Sequence, residues 1–579
     1  MKPLILMLCL GLLASCQQNT SETESEKVPP APTPTDFMNE LWYKNTLIYS
    51  VDVEVFQDSD GNGIGDFTGL TQRLDYLKQL GVGTIWLAPF QPTPNRDDGY
   101  DIADFYGVDP NLGTPQDFDK FIRQANQQGI RVMMDLVTNH TSDQHPWFRQ
   151  ARQRTDSPYR SWYVWAKERP EKWNKGMVFP GVQQAIWTFD KQAGEYYYHR
   201  FYDFQPDLNM QNPAVQREMR KIVRYWLDKG VAGFRVDAVP FLIEIADANF
   251  DPEKPSHQFD IITQLHQYIQ WHKRDAILLG EANVDPKEQE PYFGKDGQNM
   301  QMMFNFFANQ HLFYALATAE TASLKKALNE TKAIPPTAQW AQFLRNHDEI
   351  DLGRLSDSER SKVYAKFGPD TTMQLYDRGI RRRLAPMLGD PRLIELAYSL
   401  LFSLPSMPVI RYGEEIGMGD DLTLQERLSV RTPMQWSTST NAGFSTGTKM
   451  VRPVISQGPY GYSKVNVATQ RSDSASLLNR VSRFARLRKQ CPEIGLGAWK
   501  VLDTKSDHVL AIQYNWQGRT LVIVHNFSPE PQQCAINATT KGQRKLVNLL
   551  DNQSSAVGAT GIYTAQLPAY GYTWYRLSS

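Results

Sequence analysis

The chain has 579 residues, of which 41% are hydrophobic, 12% aromatic and 22% charged. Its 62 basic and 63 acidic side chains leave a formal net charge of −1, so no excess of charge favours a nucleic acid or an acidic membrane surface as a partner. This length and composition indicate a soluble globular protein of two or three domains.

The N-terminus has the pattern of an export signal. A basic residue precedes an apolar run over 4–14, which is too short to span a bilayer and matches a signal-peptide core. The run leads into LASC, which resembles the lipobox of bacterial lipoproteins and implies a signal over 1–16 with Cys16 lipidated. Residues 17–37, rich in Ser, Thr, Glu and Pro, predict a solvated tether. We expect a lipoprotein, periplasmic or at the cell surface, that contacts the membrane through its lipid alone. Gln17 resembles the class sorted to the outer membrane of Gram-negative bacteria.

Between residues 38 and 490, short β-rich segments alternate with helical patterns. The amphipathic segments 70–81 and 115–129, for example, each end at a glycine, as helices commonly do. Eight strands, each followed by a crossover helix, form the pattern of an α/β protein with a (β/α)8 TIM barrel. The strands are predicted at 47–53, 83–89, 130–137, 233–239, 276–282, 301–306, 341–347 and 407–413.

Two regions depart from this repeat. The long connection after the third strand contains a segment rich in Trp, Tyr and His, which predicts an inserted subdomain at about 140–205. From 495 to 579 strands follow one another without helices, which predicts an all-β C-terminal sandwich domain. With Cys9 in the signal, only Cys491 and Cys534 remain for a disulfide, and their spacing leaves open whether they pair.

Acidic residues lie at the ends of four predicted strands: Asp135, Asp237, Glu281 and Asp348. The carboxyl ends of barrel strands meet at one mouth, so these side chains are expected to converge there. Four such residues point to an active site more strongly than to four separate structural carboxylates. Paired carboxylates at such a mouth suggest glycosyl transfer with one nucleophile and one acid/base.

Side chains alternate along a strand, so Arg235 and Asp237 of GFRVDAV share one face. Taken alone, a satisfied buried ion pair explains them as well as a functional pair does. If the pair is functional, the positive charge of Arg235 keeps the pKa of Asp237 low, so that Asp237 is ionised for nucleophilic attack. Glu281, in the apolar stretch LLGEAN, is expected to have a raised pKa because of burial and nearby carboxylates, as an acid requires.

Four motifs resemble, in order, those of the α-amylase superfamily of glycoside hydrolases: DLVTNH (135–140), GFRVDAV (233–239), GEAN (280–283) and FLRNHD (343–348). QPDLN (205–209) resembles a fifth motif of its α-glucosidase and trehalose-synthase-like branch. The resemblance implies that Asp237 is the nucleophile, Glu281 the acid/base and Asp348 the stabiliser of the transition state.

The same resemblance implies a set of substrate-binding residues. Asp97 and Tyr100 of RDDGYD would bind the terminal glucose and stack beneath it, and Arg431 of RTPMQW would close the pocket and pair with Asp97. The residues implied to line the glucosyl subsite are His140, Arg235 and His347.

The loop DSDGNGIGD presents oxygen atoms at alternate positions, which suits calcium as well as a plain Asp/Gly turn. The resemblance favours calcium, because the family carries a calcium loop at this place, and it implies a second site at Asn139 and Asp207. No organic cofactor is expected. The ligands expected in the loop are Asp58, Asp60, Asn62, the Ile64 carbonyl and Asp66.

Several stretches resemble trehalose synthases most: 96–108, 139–148, 343–349, 379–389 and 412–420. This resemblance implies that maltose is isomerised to trehalose through a glucosyl-enzyme on Asp237. Two features favour an exo-acting α-glucosidase of α-1,4 or α-1,6 oligosaccharides instead. Residues 422–429 (LTLQERLS) differ from the Asp-Arg-Asp-Gly-like stretch of that branch, and export suits an enzyme that hydrolyses scavenged sugars. A non-catalytic glycan-binding lipoprotein is a third alternative, disfavoured because all three carboxylates are present.

Overall fold

The structure, a computed structural model, describes residues 40–537, 545–557 and 561–578. The predicted signal, Cys16 and the whole of the tether lie outside these residues. The strands are β1 (Ile48–Val51), β2 (Thr84–Leu87), β3 (Arg131–Leu136), β4 (Trp165–Ala166), β5 (Trp187–Asp190), β6 (Glu195–Tyr198), β7 (Gly233–Val236), β8 (Ile277–Gly280), β9 (Met302–Phe304), β10 (Gln339–Phe343), β11 (Ile350–Asp351), β12 (Gln374–Leu375), β13 (Gly379–Ile380), β14 (Met407–Arg411), β15 (Ala498–Leu502), β16 (Val509–Trp516), β17 (Arg519–Asn526), β18 (Gln532–Asn537), β19 (Lys545–Asn548), β20 (Ser554–Ala556), β21 (Ile562–Leu567) and β22 (Tyr572–Ser578).

The helices follow the strands in the order expected of a barrel. They are α1 (Phe67–Gln72), α2 (Leu74–Leu80), α3 (Pro115–Gln127), α4 (Pro146–Gln153), α5 (Pro213–Asp228), α6 (Val239–Leu242), α7 (Asp260–His272), α8 (Glu290–Phe293), α9 (Phe306–Thr318), α10 (Ala322–Glu330), α11 (Asp357–Phe367), α12 (Leu384–Leu388), α13 (Pro391–Ser403), α14 (Val467–Ser472), α15 (Leu477–Lys489) and α16 (Pro492–Leu496). No helix in the described part of the chain is long and apolar enough to cross a membrane.

Eight parallel strands close into a barrel in the order β1, β14, β10, β9, β8, β7, β3, β2, which confirms the predicted TIM-barrel fold. Alternate side chains of these strands fill the barrel interior, among them Trp86, Met133, Leu279 and Phe343. The intervening side chains, such as Phe234, pack outward in the large core that the helices share.

Short sequence motifs explain where α3 begins and which of its side chains are buried. Helix α3 begins with a capping box in which Thr114 and Asp117 bond each other's backbone N–H, and its buried Phe118, Phe121, Ile122 and Ala125 recur at helical spacing. The predicted helix 70–81 is instead divided into α1 and α2 at Arg73, which adopts a non-helical conformation.

All eight barrel strands are shorter than predicted, and two of these differences affect the site. Strand β10 ends at Phe343, so the motif residues 344–348 belong to the loop that follows it. Strand β7 ends at Val236 rather than 239, because Ala238 adopts a left-handed conformation with φ of 49° and begins α6. This sharp turn ends the strand and places Asp237 at the barrel mouth.

The connection between β3 and β7 contains α4 and a three-stranded sheet of β4, β6 and β5. After α16 the described residues form a six-stranded sheet (β15, β16, β17, β22, β19, β20) and a two-stranded sheet (β18, β21). Apolar side chains of both sheets form one core between them, as in a sandwich. The other face of the larger sheet packs on the barrel helices, where the Trp574 indole N–H donates to Ser399 of α13. Cys491 and Cys534 are buried free thiols, so the structure resolves the open pairing question against a disulfide.

Candidate active site

The Arg235 guanidinium connects the carboxylates at the barrel mouth. One nitrogen, Nη1, lies 2.7 Å from Asp135 and 2.6 Å from Asp237, and the other, Nη2, lies 2.6 Å from Glu281. Arg235 is only 1% exposed. Its buried cation is therefore shared among three carboxyl groups.

Asp237 and Glu281 meet across the turn that ends β7. The Glu281 carboxylate accepts a hydrogen bond from the Ala238 N–H at 3.2 Å. Burial and the neighbouring Asp237 and Asp348 carboxylates raise the pKa of Glu281 to about 8, against the lowering effect of Arg235. Glu281 is therefore protonated at neutral pH, as the sequence analysis expected of an acid.

Asp348 lies between two arginines and a histidine. Its Oδ1 atom lies 2.9 Å from Arg427 and 3.1 Å from Arg431, and its Oδ2 atom lies 3.1 Å from His347. Although burial opposes ionisation, Arg427 and His347 hold the pKa of Asp348 well below its usual range. Asp348 is therefore a permanent anion beside a largely protonated Glu281.

Tyr100, His347 and His140 are packed against these carboxylates. The Tyr100 hydroxyl lies 3.0 Å from Asp135 and 2.7 Å from His347 Nε2, and its ring stacks on the His347 ring at 5.4 Å. His140 Nε2 lies 3.1 Å from the Tyr100 carbonyl oxygen. Burial lowers the pKa of His347 to about 4, so this histidine is neutral at pH 7.

A cavity of about 1030 Å³ opens onto these groups. This volume is large enough for a small oligosaccharide. Seven of the residues singled out from sequence line it: Asp97, Tyr100, His140, Asp237, Glu281, His347 and Asp348. The structure thus brings together side chains from distant parts of the chain at the carboxyl ends of the barrel strands.

Arg235 and Arg431 do not line the cavity themselves. They contact carboxylates that do, Arg235 that of Asp237 and Arg431 that of Asp348. The expected pair of Arg431 with Asp97 is wrong, because Arg431 lies 2.6 Å from Asp98. Asp97 instead accepts a hydrogen bond from Gln205 at 2.8 Å. Its neighbour Asp98 turns away from the cavity towards two buried cations, Arg431 and Arg452, while Asp97 remains in the cavity wall.

The loop expected to bind calcium gathers Asp58, Asp60 and Asp66, with one carboxylate oxygen of each within 4.8 Å of the others. Gly63, with φ of 89°, lies so close to the Lys449 carbonyl that a Cβ atom would be only 1.7 Å from it. The tight turn and the all-oxygen donor set fit calcium, which prefers several hard oxygen ligands.

Asn139 and Asp207 lie side by side, since His140 and Asp207 form an isolated β-bridge. Burial raises the pKa of Asp207 well above its usual range, and its carboxylate accepts the Arg200 backbone N–H at 2.9 Å. In the described residues, the loop at 58–66 alone holds three or more acidic, histidine or cysteine ligand atoms within 4.8 Å of one another. The second calcium site therefore stays a prediction.

Several residues of the site were not singled out from sequence: Asp98, Arg427, Arg452, Tyr202 and Tyr376. Arg427 lines the cavity and lies in the stretch 422–429, whose unusual sequence is the one signal that pointed to it. Asp98 lies beside Asp97 in RDDGYD, whereas Arg452, Tyr202 and Tyr376 come from separate parts of the chain that no spacing pattern connects.

A (β/α)8 barrel whose strand ends hold three carboxyl groups in one cavity is the architecture of a glycoside-processing enzyme. The family model of the alpha amylase catalytic domain matches residues 50–497, and that of the sucrose hydrolase-like C-terminal domain matches residues 518–576. The chain belongs to the α-amylase family.

Known proteins resemble it along nearly its whole length. It is 40% identical to the trehalose synthase/amylase TreS of Mycolicibacterium smegmatis over 93% of this chain and 92% of that protein. It is 31% identical to the oligo-1,6-glucosidase of Parageobacillus thermoglucosidasius over 85% of this chain and 91% of the relative. The crystal structure of the trehalulose synthase MutB from Pseudomonas mesoacidophila MX-45 superposes with a TM-score of 0.74 at 26% identity, covering 93% of this chain and 99% of MutB.

Proposed function

We propose that this enzyme isomerises maltose to trehalose by retaining α-glucosyl transfer through a covalent intermediate on Asp237. The observation that carries the proposal is the 40% identity to a trehalose synthase/amylase across 93% of the chain. The geometry of Asp237 and Glu281, which share one cavity with Asp348 and contact the same arginine, supports it independently.

In the first step an Asp237 oxygen attacks the anomeric carbon of the non-reducing glucosyl unit. The bond to the 4-oxygen of the second glucose breaks, and Glu281 gives that oxygen its proton. The raised pKa of Glu281, about 8, supports this role, because the carboxyl group still holds its proton at neutral pH.

In the second step the freed glucose turns within the cavity and presents its anomeric hydroxyl. Its oxygen attacks the glucosyl carbon, Glu281 accepts the hydroxyl proton, and the bond to Asp237 breaks, so trehalose is formed and both carboxyl groups are restored. If water attacks instead, two molecules of glucose result. The outcome depends on how well the cavity retains glucose and excludes water.

The remaining residues bind the sugar or position the reacting carboxyl groups. Asp348 is a lasting anion that stabilises the positive charge of the transition state and binds ring hydroxyls of the glucosyl unit. Tyr100 offers an aromatic face to the sugar, and Asp97, His140 and His347 bind its hydroxyls. Arg235 and Arg431 act through the carboxylates that they contact.

Incubation of the purified protein with maltose, followed by separation of the sugars, tests the proposal. Trehalose as the main product supports isomerisation. Glucose alone would assign the chain to the exo-acting α-glucosidases, the alternative favoured by its similarity to an oligo-1,6-glucosidase. Isomaltose as a second substrate would then distinguish α-1,6 from α-1,4 specificity.

We also propose that calcium binds the loop 58–66 through the oxygens of Asp58, Asp60, Asn62, Ile64 and Asp66. The ion would neutralise the converging carboxylates and hold the loop in place. Calcium added to chelator-treated protein should raise the melting temperature, because a ligand that binds only the native state stabilises it. Asp60→Asn should reduce the rise and the exposed Asp503→Asn should not; an equal rise in both variants, or none in the wild type, contradicts the site.

We propose further that the chain is exported and anchored through a lipid on Cys16. The apolar run over 4–14 and the LASC sequence support this proposal. Labelled fatty acid should enter the wild-type protein expressed in a Gram-negative host and should be absent from the Cys16→Ser variant. Label in both variants, or in neither, contradicts the anchor.

A further inference from the structure

Residues 422–429, here called the strap, run beside the mouth of the cavity. One guanidinium, that of Arg381, holds its backbone, donating to the carbonyl oxygens of Leu422, Leu424 and Glu426 at 2.7, 2.8 and 2.9 Å. Ser429 returns a hydrogen bond of 3.0 Å to the Arg381 carbonyl. The backbone of the strap is therefore held in place by its hydrogen bonds with Arg381.

Glu426 connects the strap to two other segments. Its Oε2 atom accepts a hydrogen bond from the Tyr202 hydroxyl at 2.8 Å and another from the Tyr376 hydroxyl. Tyr202 belongs to the connection between β3 and β7, and Tyr376 follows β12. Phe179 packs on both tyrosine rings, with ring centroids 4.9 Å apart in each case.

The backbone at Glu426 shows that these contacts hold the strap in a specific shape. Glu426 has a φ of 43°, which a residue with a side chain adopts only where its surroundings compensate for the strain. The two tyrosine hydroxyls and the Arg381 guanidinium are such compensating contacts. Without the hydroxyls, the strained conformation loses part of its support.

Arg427, the residue after Glu426, connects the strap to the cavity. Arg427 lies 2.9 Å from Asp348 and 3.1 Å from Glu349, and its guanidinium covers the Phe179 ring at 4.6 Å. Arg427, Phe179 and Asp348 all line the cavity. A movement of Glu426 therefore displaces Arg427. The Arg427 side chain contacts the carboxylates of Asp348 and Glu349 and also Phe179, which belongs to the connection between β3 and β7.

We propose that the Glu426 carboxylate, held by Tyr202 and Tyr376, is a latch that keeps the strap closed while freed glucose turns in the cavity. The latch thus determines whether glucose or water takes the glucosyl group from Asp237. This inference rests on the proposed isomerase function and assigns its product specificity to residues outside the reacting carboxylates. A closed strap retains glucose and excludes bulk water, whereas an open strap lets both exchange.

The test compares Tyr202→Phe, Tyr376→Phe, the double variant that combines them, and Glu426→Gln with the wild type. Tyr563→Phe is the control, because this hydroxyl bonds only Ser555 and Tyr575 among the described contacts and belongs to the C-terminal sheets. Two quantities are measured with maltose as substrate: the ratio of glucose to trehalose formed, and the incorporation of added isotope-labelled glucose into trehalose. Melting temperatures show that each variant is folded.

We expect Glu426→Gln and the double tyrosine variant to raise the ratio of glucose to trehalose about tenfold, which corresponds to about 1.4 kcal/mol in relative barriers. Incorporation of labelled glucose should rise with it, while the control matches the wild type. If the latch variants only slow the reaction, with the ratio and the labelling unchanged, the latch is overturned and the isomerase function stands. If the wild type forms glucose alone, the isomerase function fails and the latch fails with it. The two phenylalanine variants, which remove one oxygen each, decide the question if Glu426→Gln does not fold.

Discussion

Replacement of Glu281 by Gln should change both the stability and the activity of the enzyme, each in a predictable direction. The pKa of Glu281 is about 8 in the folded protein and 4.5 ordinarily. The folded state thus binds this proton more tightly than the unfolded chain does. Its contribution to stability is fully present below about pH 4.5 and is lost as the pH rises to about 8.

Each unit of pKa difference corresponds to about 1.4 kcal/mol, so the free energy of unfolding contributed by Glu281 falls by up to about 5 kcal/mol over this range. Glu281→Gln cannot ionise and removes that dependence. Urea unfolding at pH 5, 7 and 9 should show the variant gaining stability relative to the wild type as the pH rises. Identical pH dependence in the two proteins would refute the argument.

Glu415→Gln is the matched control. Burial raises the pKa of Glu415 to about 7, and its carboxylate accepts hydrogen bonds from Tyr49 and Tyr76 away from the cavity. Both variants should flatten the pH dependence of stability, and only Glu281→Gln should lose activity.

The activity loss of Glu281→Gln on maltose should be on the order of 10²–10⁴, the usual contribution of a general acid. Formation of the glucosyl-enzyme from α-glucosyl fluoride should be affected far less, because fluoride leaves without a proton. An equal loss on both substrates would show that Glu281 does not act as the acid.

Three further outcomes are expected. Asp237→Asn should abolish turnover and retain maltose binding by calorimetry; residual turnover within tenfold of the wild type would exclude Asp237 as nucleophile. Arg452→Met leaves the carboxyl group of Glu54 without its cation and Asp98 with Arg431 alone, and should lower the free energy of unfolding by about 3–5 kcal/mol in urea; a loss below about 1 kcal/mol would show that other groups compensate. Tyr100→Phe keeps the ring stacked on His347 but removes the hydroxyl between Asp135 and that histidine, so kcat should fall more than KM changes; an unchanged kcat would contradict a positioning role for the hydroxyl.

The barrel and the position of its mouth could be predicted from the amino-acid sequence alone. Apolar strands, amphipathic helices and glycine stops are local features, and eight repeats of them have one compact closed arrangement. Asp237 and Glu281 could be placed at the mouth because each lies near the carboxyl end of a predicted strand. The all-β nature of the C-terminal region was also predictable, because period-two alternation needs no knowledge of partners.

Which side chains contact one another at the mouth could not be predicted in this way and depends on the folded chain. Arg235 was expected to contact Asp237, but its contacts with Asp135 and Glu281 depend on the register between neighbouring strands. Arg431 contacts Asp98 instead of Asp97 because the turn in RDDGYD orients two adjacent carboxylates in opposite directions. Charges separated by hundreds of residues carry no pattern in the sequence. Their pairing follows from loop conformations, which are set by contacts that form only when the chain has folded.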